Sequence, residues 1–167
     1  MYLFQEQKIK YIFYNNLIMT ERIQNAIDVF LDAINKGTLA KGTCCACAIG
    51  NLIADKINYQ IKNLVHNPQA PNGLWWKQEG FHTGGINYES PLLEMLDFTI
   101  EEIVEIEKAF EDNTSRSYVD YNFCSKEKIR EDQIKGLKAV VEVMMKFDDV
   151  KDDVNEVFTE KAESIPL

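Results

Sequence analysis

Several features that identify common classes of protein are missing from this 167-residue sequence. No apolar run reaches the roughly 18 residues that a membrane-spanning helix needs. No run of basic residues is present to neutralise a nucleic-acid backbone, and the formal net charge is −9. The second half of the chain is the more acidic, with 18 acidic and 10 basic side chains in residues 99–167. We therefore expect neither a membrane nor a nucleic acid as a direct partner.

Motifs that carry familiar chemistry are missing too. The chain has no phosphate-binding loop, no dinucleotide fingerprint, no H-E-x-x-H motif and no nucleophile elbow. It has only two histidines, His66 and His82, for acid–base chemistry. The acidic pairs at 148–149 and 152–153 lack the glycine of an EF-hand loop, so we interpret them as a solvated helix start. We expect no catalytic site and no cofactor.

The cysteines indicate a reducing compartment. Three of the four, Cys44, Cys45 and Cys47, lie too close together in sequence to pair with one another without strain, and Cys124 is far away in the chain. The sequence does not begin with a convincing secretory signal. Reduced thiols and a cytoplasmic location are the simplest interpretation.

The first 18 residues have an unusual composition. Twelve of them are Phe, Ile, Lys, Asn or Tyr, the amino acids whose codons can be built from A and T alone. Thr20, just after Met19, is a good helix N-cap. We predict that residues 1–18 are a spurious or flexible extension and that residues 19–167 form a single helical domain. The alternative is a genuine N-terminal strand or helix.

What is present favours an all-α fold. Apolar residues from Ile23 to Ile34 follow the spacing of one helical face, and Gly37 ends that pattern. Thr99 and Glu102 form a capping-box signature, and Ser125 is placed to cap a long helix. A weaker last helix is predicted over 150–161. We predict a compact single-domain bundle of about five helices.

An insert at 58–98, rich in aromatic residues, glycine and proline, interrupts the helical pattern. Loops of this length without structure are uncommon, so a short helix or hairpin is expected within it. Its aromatic segment contains Trp75, Trp76, Phe81 and His82. These residues are candidates for a protein-interaction face or for a pocket that takes a planar ligand; a small satellite core under the loop is the alternative.

The stretch "TCCACAIGN" at 43–51 has three interpretations. In the first, Cys44 and Cys47 form half of a tetrahedral zinc site. The candidates for its other two ligands are His66, His82 and Cys124, of which His82 and Cys124 are the predicted pair. Thiolates in a first helical turn are also typical of redox centres. In the third interpretation, Thr43 caps a helix that runs through the cysteines, and a stripe of small residues lets a neighbouring helix approach: Ala46, Gly50 and Ala54. Packing is the interpretation that the composition favours.

The same stretch resembles the C-x-x-C-A-[VI]-G-N pattern of a family of small uncharacterised proteins from bacteria and their phages. The segments at 98–110 and 136–142 are similar to two further hallmarks of that family. Some members are labelled as a component of a sodium-translocating NADH:quinone reductase. That activity needs an iron–sulfur cysteine quartet and flavin and nicotinamide modules, and this chain has neither the cysteine spacing nor the length. The resemblance implies a fold and an origin.

These observations together predict a non-catalytic protein-interaction or regulatory protein of phage or mobile-element origin. The alternatives are a structural zinc protein that uses Cys44 and Cys47 and a small-ligand binder that uses the aromatic insert. The expected partner is another protein, which the sequence does not identify, and self-association stays open.

Overall fold

Helices dominate the chain. The computed structural model describes residues 11–14, 17–42, 46–63, 81–82, 85–86, 91–115, 118–151 and 153–167. The helices are α1 (Glu21–Lys36), α2 (Ala48–Asn63), α3 (Ile100–Asn113), the single turn α4 (Tyr118–Tyr121), α5 (Lys126–Phe147) and α6 (Val154–Ser164), with a 3₁₀ helix at Pro91–Met95. The predicted all-α bundle of about five helices is confirmed.

Strands within the described residues form two short antiparallel hairpins. In the first, β1 (Tyr11–Tyr14) pairs with β2 (Leu17–Thr20), and in the second, β3 (Phe81–His82) pairs with β4 (Gly85–Ile86). The Met19 side chain at the end of β2 is fully buried. That residues 1–18 are dispensable stays a prediction.

The first helix follows its apolar pattern closely. Ile23, Ile27, Phe30 and Ile34 are buried, and Gly37 ends the helix in the left-handed conformation with φ 67°. The Gly37 N–H donates to the free carbonyls at the helix end, which is the role expected of a C-terminal glycine. Thr20, however, makes no capping hydrogen bond with its side chain; its hydroxyl donates to Asp148 instead.

Two predicted helix starts are confirmed in detail. Thr99 Oγ1 accepts a hydrogen bond from the Glu102 N–H at 3.2 Å, and the Glu102 carboxylate accepts one from the Thr99 N–H at 2.8 Å. Ser125 Oγ accepts from the Lys128 N–H at 3.4 Å. Both caps use N–H groups that would otherwise lack partners at the first turn of a helix.

The predicted limits of two helices need correction. The second helix begins at Ala48, so Cys47 and Ala46 precede it; Thr43, Cys44 and Cys45 lie outside the described residues. It continues to Asn63, so the irregular insert does not begin at residue 58. The last helix starts at Val154 because Asp153 accepts the Glu156 N–H at 3.1 Å.

A close helix approach lies between α3 and α5. A Cβ atom added at Gly136 of α5 would collide with Thr114 Oγ1 and stand 3.0 Å from the Phe110 ring. The two helices can therefore touch at this point only because residue 136 has no side chain.

Within the described residues, no helix is long and apolar enough to cross a membrane.

Candidate functional site

A broad groove lies between α1, α2 and the segment that follows the 3₁₀ helix, with a cavity volume of about 1600 Å³. Its floor is apolar. Ala26, Leu52 and Leu96 are buried there, while Val29 and Phe98 are half-buried and so present part of their surface to solvent. The combination of a buried apolar centre and a polar edge is the usual composition of a protein-binding surface.

The rim of the groove is strongly acidic. Seven carboxylate side chains and only two basic side chains line it, a formal excess of five negative charges. The acidic residues are Glu21, Asp28, Asp32, Asp55, Glu94, Asp97 and Asp148, and the basic ones are Arg22 and Lys56. We call this surface the acidic groove. Its charge is a concentrated part of the −9 carried by the whole chain.

Arg22 holds one end of the acidic groove together. Its Nε lies 2.9 and 3.0 Å from the two carboxylate oxygens of Asp148, and its Nη1 and Nη2 lie 2.8 and 3.0 Å from those of Glu102. Nη1 also donates to the Asp97 carbonyl at 3.1 Å, and the guanidinium stands 5.0 Å from the centre of the Phe98 ring. Such bidentate pairing suits the planar fork of arginine.

This arrangement corrects one interpretation of the sequence. The side chain of Asp148 is 5% exposed, so it is not part of a solvated helix start. Hydrogen bonds to Asp148, helped by Glu102 against the opposing effect of burial, raise the pKa of Arg22 above its ordinary range. Arg22 therefore keeps its positive charge. That charge is paired with Asp148 and Glu102, so it does not neutralise the other carboxylates of the rim.

The other rim carboxylates are less well compensated. Asp97 pairs with Lys56 at 2.8 Å and Asp32 with Lys36 at 2.5 Å, both as exposed pairs. From the described residues, Asp28 accepts one neutral hydrogen bond, donated by Gln24 Nε2 at 2.9 Å. Within the described chain, the remaining three have no ion-pair partner: Glu21, Asp55 and Glu94. Exposed ion pairs contribute little energy, so the rim stays attractive to cations.

The cysteine motif has a structural role at Cys47. Its buried Sγ accepts the Gly50 N–H at 3.4 Å and its carbonyl accepts the Asn51 N–H at 3.1 Å, so Cys47 occupies the N-cap position of α2. The Asn51 side chain is buried and its Nδ2 donates to the carbonyls of Ala46 and Cys47, each at 3.0 Å, and of Thr38 at 3.3 Å. Thr38 Oγ1 in turn donates to Asn51 Oδ1 at 2.7 Å.

This network explains why the helix starts later than predicted. The Asn51 amide satisfies the carbonyls of the preceding loop, which a helix running through the cysteines would use itself. The predicted stripe of small residues is wrong in one member, because Ala46 belongs to this loop. Gly50 is buried and Ala54 half-buried in α2.

The other predicted site residues are only partly placed. Cys44, Trp75 and Trp76 lie outside the described residues, and Phe81 and His82 form β3. Cys124 is half-buried in the turn before α5. Among the residues that the structure describes, no group of three or more His, Cys, Asp and Glu side chains is arranged to hold a metal ion. The proposed zinc site and the aromatic interaction face stay predictions.

Comparison with protein-family models, with curated proteins and with solved structures finds no match for this chain.

The acidic groove was not predicted from the sequence, although the residues of one of its walls follow a recognisable sequence pattern. Glu21, Asn25, Asp28 and Asp32 recur at i, i+4, i+7 and i+11, which places them on one face of α1. The opposite wall comes from α2 and from residues 94–99, so only the fold brings the two together.

Proposed function

We propose that this chain is a non-catalytic protein-interaction module and that a segment of its partner protein binds in the acidic groove. The observation that carries the proposal is the exposed part of the apolar floor, at Val29 and Phe98, surrounded by a charged rim. Burial of such a floor supplies affinity, and the rim supplies specificity. A cytoplasmic setting in a phage or mobile element is part of the proposal, supported by the cysteine composition and by the family resemblance.

The size of the acidic groove favours a polypeptide over a small molecule. Small-ligand pockets usually have volumes of about 300 to 1,000 Å³ and enclose most of the ligand. The acidic groove has a volume of about 1600 Å³ and runs along α1 from Glu21 to Asp32. Grooves between helices commonly accept a helix of a partner, whose apolar side chains bind at regular intervals.

A photo-crosslinking experiment tests this proposal. A benzoylphenylalanine placed at Val29, on the floor, should capture a protein in cells of the organism that encodes the chain, and mass spectrometry identifies it. The matched control carries the same group at Glu160, which is exposed on α6 and does not line the acidic groove. The captured protein is then purified and its dissociation constant measured with the wild type and with Val29→Glu.

The expected result is capture at position 29 alone and a dissociation constant raised about tenfold or more by Val29→Glu, since a buried charge on the floor is costly. Equal capture at positions 29 and 160 would contradict the proposal. So would unchanged affinity in a Val29→Glu protein that unfolds at the wild-type temperature.

A structural zinc site is the second candidate function. One observation favours it: Cys47 Sγ accepts an N–H at the start of a helix, which is an environment that stabilises a thiolate. In this proposal Cys44 and Cys47 supply two of the four zinc ligands. The decisive measurement is the zinc content of the purified protein.

A further inference from the structure

We infer that the partner segment in the acidic groove is a basic amphipathic helix, with lysine or arginine side chains toward the rim and apolar side chains on the floor. This inference rests on the proposed function and adds the chemistry of the partner. It follows from three properties of the acidic groove: the sign of its charge, the spacing of its carboxylates and the position of its apolar floor.

The sign of the charge selects the partner. The rim carries five more negative than positive charges, and three of its carboxylates have no ion pair among the described residues. An acidic partner segment would add negative charge to a rim that is already negative. A neutral segment would cover the rim carboxylates without supplying a cation to pair with them. A basic segment instead forms ion pairs at the edge of the interface, where they increase the association rate and select against wrong partners.

The carboxylates are spread along a line rather than gathered around one point. On α1, Glu21 and Asp28 are seven residues apart, or about 10.5 Å along the axis, and Asp28 and Asp32 are about 6 Å apart, at a rise of 1.5 Å per residue. Asp55 and Glu94 lie on the other walls. The described residues contain no group of three potential ligands suited to a metal ion. A line of charges fits a polymer with regularly spaced cations better than a single ion.

A helix provides that spacing together with an apolar face. Residues at i, i+4, i+7 and i+11 of a partner helix would lie beside the same interval on α1. Its apolar side chains would then contact Val29 and Phe98, the half-buried residues of the floor.

Synthetic peptides test the inference directly. The probe is an acetylated and amidated peptide of about 18 residues, roughly 27 Å of helix, with lysines flanking one leucine stripe. The first control has the same composition in a scrambled order without the stripe, and the second replaces each lysine by glutamate. Binding to the full-length protein is measured by fluorescence anisotropy at about 50 mM and about 300 mM NaCl.

We expect the amphipathic basic peptide to bind about tenfold more tightly than the scrambled one, and the glutamate peptide not to bind. The higher salt concentration should weaken the binding. The double variant Asp28→Asn/Asp32→Asn should weaken it about tenfold, because it removes two rim charges while an asparagine at position 28 can still accept the hydrogen bond from Gln24. The matched control Glu105→Gln/Glu160→Gln removes two exposed charges outside the acidic groove and should change affinity less than about twofold.

Several outcomes would overturn the inference. They are the absence of saturable binding, equal binding of the scrambled peptide, and equal weakening by the two double variants, which would show attraction to net charge alone. The proposed function fails separately, when crosslinking at position 29 captures no protein. If a protein is captured there but binds through a neutral or acidic segment, the proposed function stands and the inference about partner chemistry is wrong.

Discussion

Arg22, at the start of α1, donates hydrogen bonds from its Nε to both carboxylate oxygens of Asp148, at the end of α5, at distances of 2.9 and 3.0 Å. The two residues are 126 positions apart in the sequence. The same guanidinium binds Glu102 in the first turn of α3. One side chain thus fixes the ends of three helices and the nearby end of the acidic groove.

Replacing this arginine should therefore be costly. We expect Arg22→Gln to lower the free energy of unfolding by about 2 kcal/mol, because Asp148 is left buried without a counter-ion, while partial exposure of Arg22 and Glu102 moderates the loss. The control, Lys36→Gln, breaks the exposed pair with Asp32 and should cost less than about 0.5 kcal/mol. Urea denaturation of both variants measures the difference, and similar losses would refute the role of Arg22.

The tight contact between α3 and α5 predicts that adding a side chain at Gly136 lowers the free energy of unfolding instead of raising it. Gly→Ala in a helix interior ordinarily stabilises by about 1 kcal/mol. We expect Gly136→Ala to destabilise instead, by about 1 to 3 kcal/mol, because its Cβ would collide with Thr114 Oγ1 and crowd Phe110. Among the residues that the structure describes, the buried Thr114 Oγ1 has no hydrogen-bond partner, so Thr114→Ala should recover part of the loss in the double variant. Additive effects in chemical denaturation would show that the two residues do not interact.

Sequence reasoning reached the local features of this fold and missed those that depend on distant contacts. The apolar spacing of α1 and the Thr99–Glu102 capping box involve residues within one helix, and both are confirmed. By contrast, nothing in the sequence around Asp148 indicates that Arg22 neutralises it. Likewise, Gly136 is important only because it lies against Phe110 of α3 and against Thr114, the residue after that helix. The acidic groove is intermediate, because α1 displays its carboxylates in sequence whereas the facing wall does not.

Glu111 makes the stability of the protein depend on pH. Its carboxylate accepts the Gly42 N–H at 3.1 and 3.2 Å, yet burial raises its pKa above the ordinary 4.5. When the pKa of an acid is higher in the folded state than in the unfolded state, its contribution to stability is fully present at a pH below the unfolded-state pKa. That contribution is lost as the pH rises through the folded-state pKa.

The variant Glu111→Gln should consequently gain stability relative to the wild type as the pH rises from about 4 to about 7. Glutamine can still accept a hydrogen bond from Gly42, so the contact itself is kept. Urea midpoints across this pH range, with Glu105→Gln on the exposed face of α3 as the control, measure the effect. A stability difference between Glu111→Gln and the wild type that does not change with pH would contradict it.

Substitution of Cys47 separates its capping role from zinc binding. As the N-cap of α2, Cys47 accepts the Gly50 N–H through its side chain; serine also supplies an acceptor atom at this position, whereas alanine does not. We therefore expect Cys47→Ser to unfold at a free energy closer to the wild type than Cys47→Ala, which should lose about 1 kcal/mol. We also expect elemental analysis to find no stoichiometric zinc in the purified protein. A zinc site would reverse both results, because serine is a poor replacement for a thiolate ligand: the wild type would contain one equivalent of zinc, and both variants would lose the metal and be destabilised to a similar degree.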